Sequence, residues 1–146
     1  MSDLRELYQQ VILDHNKQPR NFRVIDPVQH KADGHNPLCG DQVTVFVELE
    51  NDIIKDVAFQ GRGCAISTAS ASLMTEIVKG KTMAEAKRIF HNFHAAVTSS
   101  DELPSGLGKL AVLAGVRDYP SRVKCATLAW HTMNAAVNGR EQASTE

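Results

Sequence analysis

The chain has 146 residues, and its 16 lysines and arginines nearly balance its 17 aspartates and glutamates. This neutrality argues against nucleic acid as the main partner, because binding to phosphates requires a basic excess. The apolar runs are far shorter than the roughly 20 residues of a membrane-spanning helix, and the polar N-terminus lacks the features of a secretory signal. We therefore expect a cytoplasmic protein with no membrane partner, folded as a single domain over residues 1–146.

The first part of the chain predicts a helix followed by a β-hairpin. Five apolar residues at helical spacing predict a helix that ends before Pro19; they are Leu4, Leu7, Tyr8, Val11 and Ile12. Residues 28–32 are compatible with one irregular strand. Alternating apolar residues predict a strand over residues 43–49 and a return strand over residues 53–59. The intervening Asn51-Asp52 predicts the hairpin turn, and the Gly61-Arg62-Gly63 segment is expected to end the second strand.

The remainder of the chain is predicted to be helical. Residues 65–79 have the spacing of a helix, with Gly80 after its C-terminus. Thr82 and Glu85 have the spacing of a capping box that opens the next helix. The remaining segments are, in order, a loop over residues 98–105, a short helix over residues 107–116, a last helix between Pro120 and Gly139, and a loose tail over residues 141–146. Strands followed by helices predict an α+β fold, with helices packed on one face of a small antiparallel sheet.

Cys39-Gly40-Asp41 precedes the most clearly predicted strand. If this segment is extended, Cys39 and Asp41 point the same way and present a thiol and a carboxylate to one place. Gly40 between them allows the backbone to bend. An ordinary turn with a buried cysteine is the alternative interpretation.

The other two cysteines are predicted near the starts of helices. Cys64 follows the glycine-rich break and opens a helix, where the positive end of the helix dipole lowers the pKa of a thiol. Cys125 follows Arg122 and Lys124 at the start of the last helix, where cations also favour the thiolate. Simple burial of Cys64, and a solvent-facing basic helix end around Cys125, are the alternatives.

Three cysteines and Asp41 would make a four-ligand tetrahedral set, and thiolates favour zinc or an iron–sulfur cluster. The sequence has no Cys-x-x-Cys pair, and 24 and 60 residues separate successive cysteines. Such a site would therefore be assembled by the fold from distant parts of the chain.

Three segments, each built around one cysteine, resemble the NifU N-terminal/IscU-like family of iron–sulfur cluster assembly proteins. The segments are Asn36-Pro37-Leu38-Cys39-Gly40-Asp41, Gly63-Cys64-Ala65-Ile66-Ser67 and Lys124-Cys125-Ala126-Thr127-Leu128-Ala129-Trp130. The resemblance extends over nearly the whole chain and implies the same α+β fold. It also implies that Cys39, Asp41, Cys64 and Cys125 form a metal or cluster site.

Two departures from the IscU-like pattern resemble the SufU branch of the family. Lys124 stands where the IscU-like branch has a histidine, and the stretch between Cys64 and Cys125 is longer, with its surplus near residues 98–110. This resemblance implies a zinc protein that accepts sulfur from a SufS-type cysteine desulfurase and works with downstream cluster-assembly proteins. Cys39 is the expected catalytic thiol, because its glycine-flanked loop should move most easily.

Two other functions stay open at this stage. The same four residues would also serve a scaffold that assembles a two-iron cluster and hands it on, or a structural zinc domain that only contacts other proteins. Whether the chain is an enzyme, as a zinc-dependent sulfurtransferase, is equally open.

Four histidines compete as ligands. His35, four residues before Cys39, could approach the site, although a loop histidine is the simpler interpretation. His91 and His94 lie one helical turn apart, at the polar edge of an apolar stripe, and His131 follows Trp130. We expect these three histidines on the surface.

Overall fold

A computed structural model describes residues 2–98 and 107–144, with side chains from residue 9 to residue 143 within those ranges. Its helices are α1 (Ser2–Lys17), α2 (Ala65–Val78), α3 (Met83–Thr98) and α4 (Pro120–Val137), with a 3₁₀ helix at Gly108–Asp118 between the last two. Its strands are β1 (His30–Asn36), β2 (Asp41–Glu50), β3 (Ile53–Arg62) and β4 (Gln142–Ser144). None of the helices in the described ranges combines the length and the hydrophobicity that a membrane-spanning segment needs.

The four strands form one sheet in the order β3-β2-β1-β4, antiparallel except for the parallel pair of β1 with β4. The predicted α+β class with a small, mainly antiparallel sheet is confirmed. The prediction of a loose tail over residues 141–146 is wrong for residues 142–144, which pair with β1, and residues 145–146 lie outside the described part of the chain. The early strand is also displaced from its predicted position, and begins at His30 rather than near residue 28.

The predicted hairpin is confirmed, with Asn51 and Asp52 at φ 53° and 64° in its turn. A register shift opposite Glu48 and Leu49 makes β3 irregular, so Ile54 is buried while Ile53 is exposed. The strict alternation predicted for the return strand therefore fails at this shift. The strand continues past residue 59 to Arg62, and it thus ends within the Gly61-Arg62-Gly63 segment, as predicted.

The helices cover one face of the sheet, with α4 packed on β1 and β2 and α2 packed on β3. Val45, Val47 and Val57 of the sheet are fully buried beneath them. Trp130 of α4 is also fully buried, and its indole N–H donates to the Ser70 hydroxyl of α2 at 3.1 Å. This packing fixes the start of α4, which carries Cys125, against the end of the β1–β2 hairpin.

The predicted capping box is confirmed: Glu85 N donates to Thr82 Oγ1, and Thr82 N donates to Glu85 Oε1, each at 3.1 Å. The predicted short helix is present as the 3₁₀ helix. Of the loop predicted over residues 98–105, Thr98 ends α3, and residues 99–106 lie outside the described part of the chain.

Candidate metal centre

Three of the four predicted site residues meet at one end of the sheet. Cys39 lies in the turn between β1 and β2, Asp41 begins β2, and Cys125 lies in the second turn of α4. Their sulfur and carboxylate ligand atoms all lie within 4.8 Å of one another. Asp41 and Cys125 are fully buried, whereas Cys39 is exposed. Two members of the group are thus buried, and the third, the Cys39 thiol, is exposed to solvent.

A turn, and not an extended segment, brings Cys39 and Asp41 together. Residues 37–40 form the turn, and the Gly40 N–H donates to the Asn36 carbonyl at 2.8 Å. Gly40 has φ +74°, in the left-handed region that glycine adopts without strain. Chain reversal at Gly40 therefore turns the Cys39 thiol back towards the carboxylate.

Cys64 lies beside this group as the N-cap of α2, which confirms its predicted place at a helix start. Its sulfur accepts a hydrogen bond from Ser67 N at 3.4 Å. Its own N–H donates to Asp41 Oδ1 at 2.8 Å. The backbone of the fourth predicted residue is thus bonded to Asp41, but its sulfur is not among the three ligand atoms that lie within 4.8 Å of one another.

Burial raises the pKa of the Cys125 thiol, and the neighbouring Asp41, Cys64 and Cys39 raise it further. The exposed Arg122 lies close to two of these sulfurs, and its pKa is raised first by Cys64 and then by Cys125. The sulfurs are therefore close enough to interact, and a cation stands at the solvent side. A cation in the site provides the compensation that several ionised thiols would need.

Asn36 and Gly63 belong to the cysteine motifs, but neither is predicted from the sequence to take part in the site. Asn36 is fully buried, and its amide Nδ2 lies 3.3 Å from Asp41 Oδ2 and 3.6 Å from Cys125 Sγ. At Gly63, an added Cβ would lie 2.6 Å from Asp41 Oδ1. The sequence signal for Asn36 is its position on the buried face of β1. This signal can be recognised only once the strand is known to extend to residue 36.

The histidines lie away from the group. His35 is exposed on the sheet face opposite to Asn36, so it does not join the three ligand atoms. His91 and His94 are exposed, as predicted. His131 is half-buried rather than on the surface, with its ring edge-on to Phe90 at 5.1 Å.

Comparison with known proteins identifies the family. The model of the NifU-like N-terminal domain matches residues 7–126. The chain belongs to the NifU-like N-terminal domain family. The family predicted from the three cysteine motifs is thereby confirmed, and the SufU relative described next supports the predicted branch.

Relatives within the family carry two kinds of name. The zinc-dependent sulfurtransferase SufU of Bacillus subtilis is 40% identical to this NifU-like chain, over 96% of it and 95% of the relative. The iron–sulfur cluster assembly scaffold protein IscU of Streptococcus pyogenes is also 40% identical, over 94% of this chain and 86% of the relative.

A crystal structure from Fervidobacterium islandicum, of a candidate cluster assembly scaffold for the SUF system, is similar with a TM-score of 0.84. It is 34% identical and covers 90% of this chain and 97% of its own. The chain is therefore a protein of iron–sulfur cluster assembly, and it shares the fold of that group.

Proposed function

We propose that this chain is a zinc-dependent sulfur acceptor that takes sulfur from the persulfide of a SufS-type cysteine desulfurase. The observation that carries the proposal is the exposure of Cys39 within a group whose other members are buried. A thiol that must reach a cysteine of another protein needs to be accessible, whereas thiols that only hold a metal do not. The similarity to the Bacillus subtilis sulfurtransferase over nearly the full length of both chains supports the same function.

The donor set suits zinc. Cys39, Asp41, Cys64 and Cys125 would hold the ion, since zinc prefers four-coordinate sites built from thiolate and carboxylate ligands. Three of these donors are already within 4.8 Å of one another. When bound, zinc keeps cysteine ligands deprotonated at neutral pH.

Sulfur transfer is an exchange reaction at the exposed thiol. The Cys39 thiolate attacks the terminal sulfur of the donor's persulfide, and a new S–S bond forms to Cys39. The S–S bond of the donor breaks, and the donor cysteine leaves as a thiolate with the electron pair of that bond. No external oxidant or reductant is needed, because the sulfur is transferred at its existing oxidation level. Arg122, close to the sulfurs of Cys64 and Cys125, attracts the anionic persulfide.

A scaffold for a two-iron cluster is the second candidate, because the scaffold protein of Streptococcus pyogenes is equally similar to this chain. A scaffold uses the thiols to hold iron and sulfide, and it has no requirement to clear the persulfide of the desulfurase. The two functions therefore differ in what happens to Cys39 when the donor is present.

Mass spectrometry of the chain mixed with a SufS-type desulfurase and cysteine distinguishes the candidates. We expect the chain to gain one sulfur atom, mapped to the peptide that contains Cys39, and the turnover of the desulfurase to rise. Cys39→Ser should abolish both effects, because a hydroxyl is a much poorer nucleophile towards sulfur. Protein purified without oxygen should contain near-stoichiometric zinc.

The contrary result is equally specific. An unmodified Cys39 and an unchanged desulfurase rate, together with a stable coloured cluster after addition of iron and sulfide, would favour the scaffold.

Cys125→Ser is the matched control, because it makes the same atomic change at a buried thiol. In that variant we expect weaker metal binding, while any transferred sulfur still maps to Cys39.

A further inference from the structure

The amide of Asn36 lies where the three segments of the site meet. Asn36 ends β1, and its side chain is completely buried. Its Nδ2 is 3.3 Å from Asp41 Oδ2 and 3.6 Å from Cys125 Sγ, while its Oδ1 accepts from Leu38 N at 3.2 Å. One side chain therefore contacts the strand that carries Asp41, the helix that carries Cys125 and the turn that carries Cys39.

The orientation of this amide is set by its neighbours. A backbone N–H can only donate and an ionised carboxylate can only accept. The Asn36 oxygen must therefore face Leu38 N, and its NH₂ group must face Asp41 and Cys125. A flipped amide would lose the bonds on both sides, and at a buried position each unpaired polar group is costly.

The two oxygens of Asp41 are held by different donors. Oδ1 accepts from Cys64 N at 2.8 Å, and Oδ2 faces the Asn36 amide. Without Asn36, Oδ2 loses this donor, and the carboxylate is held less firmly in its present orientation. The turn would also lose its bond at Leu38, next to Cys39.

We propose that Asn36 is a positioning residue, whose amide fixes the Asp41 carboxylate and the Cys125 sulfur relative to the turn that carries Cys39. Groups that hydrogen-bond a metal ligand orient it and tune the metal it holds. This inference rests on the metal centre proposed above, but it applies equally to a sulfur acceptor and to a scaffold. It differs from a purely structural role, in which Asn36 would stabilise the hairpin without affecting the geometry of the ligands.

Cobalt(II), used as the probe in place of zinc, tests this proposal with two measurements. The visible absorption of the cobalt-loaded protein reports the geometry and the thiolate ligands, and a chelator gives the rate of metal release. We expect Asn36→Ala and Asn36→Asp to shift the absorption bands and to release cobalt about 10- to 100-fold faster than the unmodified chain. Circular dichroism establishes that each variant is folded.

Asn138→Asp is the matched control, because Asn138 is exposed at the opposite end of α4 from Cys125, where its Nδ2 donates to Asn134 Oδ1 at 3.2 Å. It should leave the bands and the release rate unchanged. If Asn36→Ala does not fold, the nearly isosteric Asn36→Asp decides the question by the same measurements.

Folded Asn36 variants with unchanged bands and release rates would overturn the positioning role alone. If the unmodified chain itself shows no thiolate-to-cobalt absorption, the proposed metal centre fails, and the role of Asn36 fails with it.

Discussion

Gly63 shows how closely the backbone approaches the Asp41 carboxylate. A Cβ at residue 63 would lie 2.6 Å from Asp41 Oδ1 and 3.1 Å from its Cγ. No side-chain contact of this length is tolerated, so the carboxylate would have to leave Cys64 N, to which it is now bonded at 2.8 Å. The glycine in the second cysteine motif is thus required by a close approach and not by an unusual φ angle.

We therefore predict that Gly63→Ala destabilises the metal-free chain by about 1–3 kcal/mol, the usual cost of overpacking, and weakens metal binding. Urea unfolding and chelator competition measure the two effects.

Asp41→Ala should alter metal binding and abolish sulfur acceptance. In the Asp41→Ala background, adding Gly63→Ala should cost much less, because the clashing oxygen is gone. Equal costs in the two backgrounds would show that the clash with Asp41 is not the cause.

At the scale of elements, one thiol lies in a turn and the other two lie at or near the start of a helix. Cys39 lies in a hairpin turn, Cys64 caps α2 through its sulfur, and Cys125 lies near the start of α4. Turns and helix starts leave backbone N–H groups available to bond side chains, as Cys64 N does with Asp41. The same ends were predicted from local sequence signals, because caps and turn residues act over only a few positions.

The start of α3 allows an element to be tested independently of the site. Thr82 Oγ1 accepts from Glu85 N, and Glu85 Oε1 accepts from Thr82 N. Thr82→Ala should lower the free energy of unfolding by about 1 kcal/mol, since it removes an N-cap acceptor. Urea unfolding measures this change. Thr82→Ser keeps the hydroxyl and should recover most of the stability, and an equal loss in both variants would contradict the capping role.

At the scale of the whole molecule, we expect two histidines, His15 and His131, to make the free energy of unfolding depend on pH. Burial lowers the pKa of His15, and Arg20 lowers it further against the opposing Glu76 and Asp14. Burial also lowers the pKa of His131, with a smaller effect from His94. Fully buried His15 is hydrogen-bonded through its Nδ1 to the Ser72 hydroxyl at 2.6 Å, and this bond joins α1 to α2.

The unfolded chain, with histidine pKa values of about 6.5, therefore binds more protons than the folded chain as the pH falls. The free energy of unfolding should be fully retained above about pH 6.5 and should decrease below it. Urea unfolding of the metal-free protein at several pH values measures this slope. The double variant His15→Gln, His131→Gln should flatten it, whereas the exposed His91→Gln should not. A slope unchanged by the double variant would refute this assignment.

The sequence by itself determined the local features of this protein. Three of these features depend only on residues a few positions apart: the hairpin turn at Asn51 and Asp52, the capping box at Thr82 and the helix start at Cys64. They can therefore be recognised in the sequence without knowledge of the fold. The three cysteine motifs together also specified the family, because the motifs occur in a particular order along the chain. Three of the four predicted site residues lie together in the structure, and their role as metal ligands stays a prediction.

Only the tertiary structure decided the features that depend on distant partners. The tail over residues 142–144 is a strand because β1 offers it an edge, and nothing within the tail indicates this. Asn36 and Gly63 gain their importance from contacts with Asp41, and Asn36 also contacts Cys125, which is 89 residues away in sequence. Local patterning determines which face of an element is buried, but the packing of α4 against the hairpin determines which buried polar groups meet.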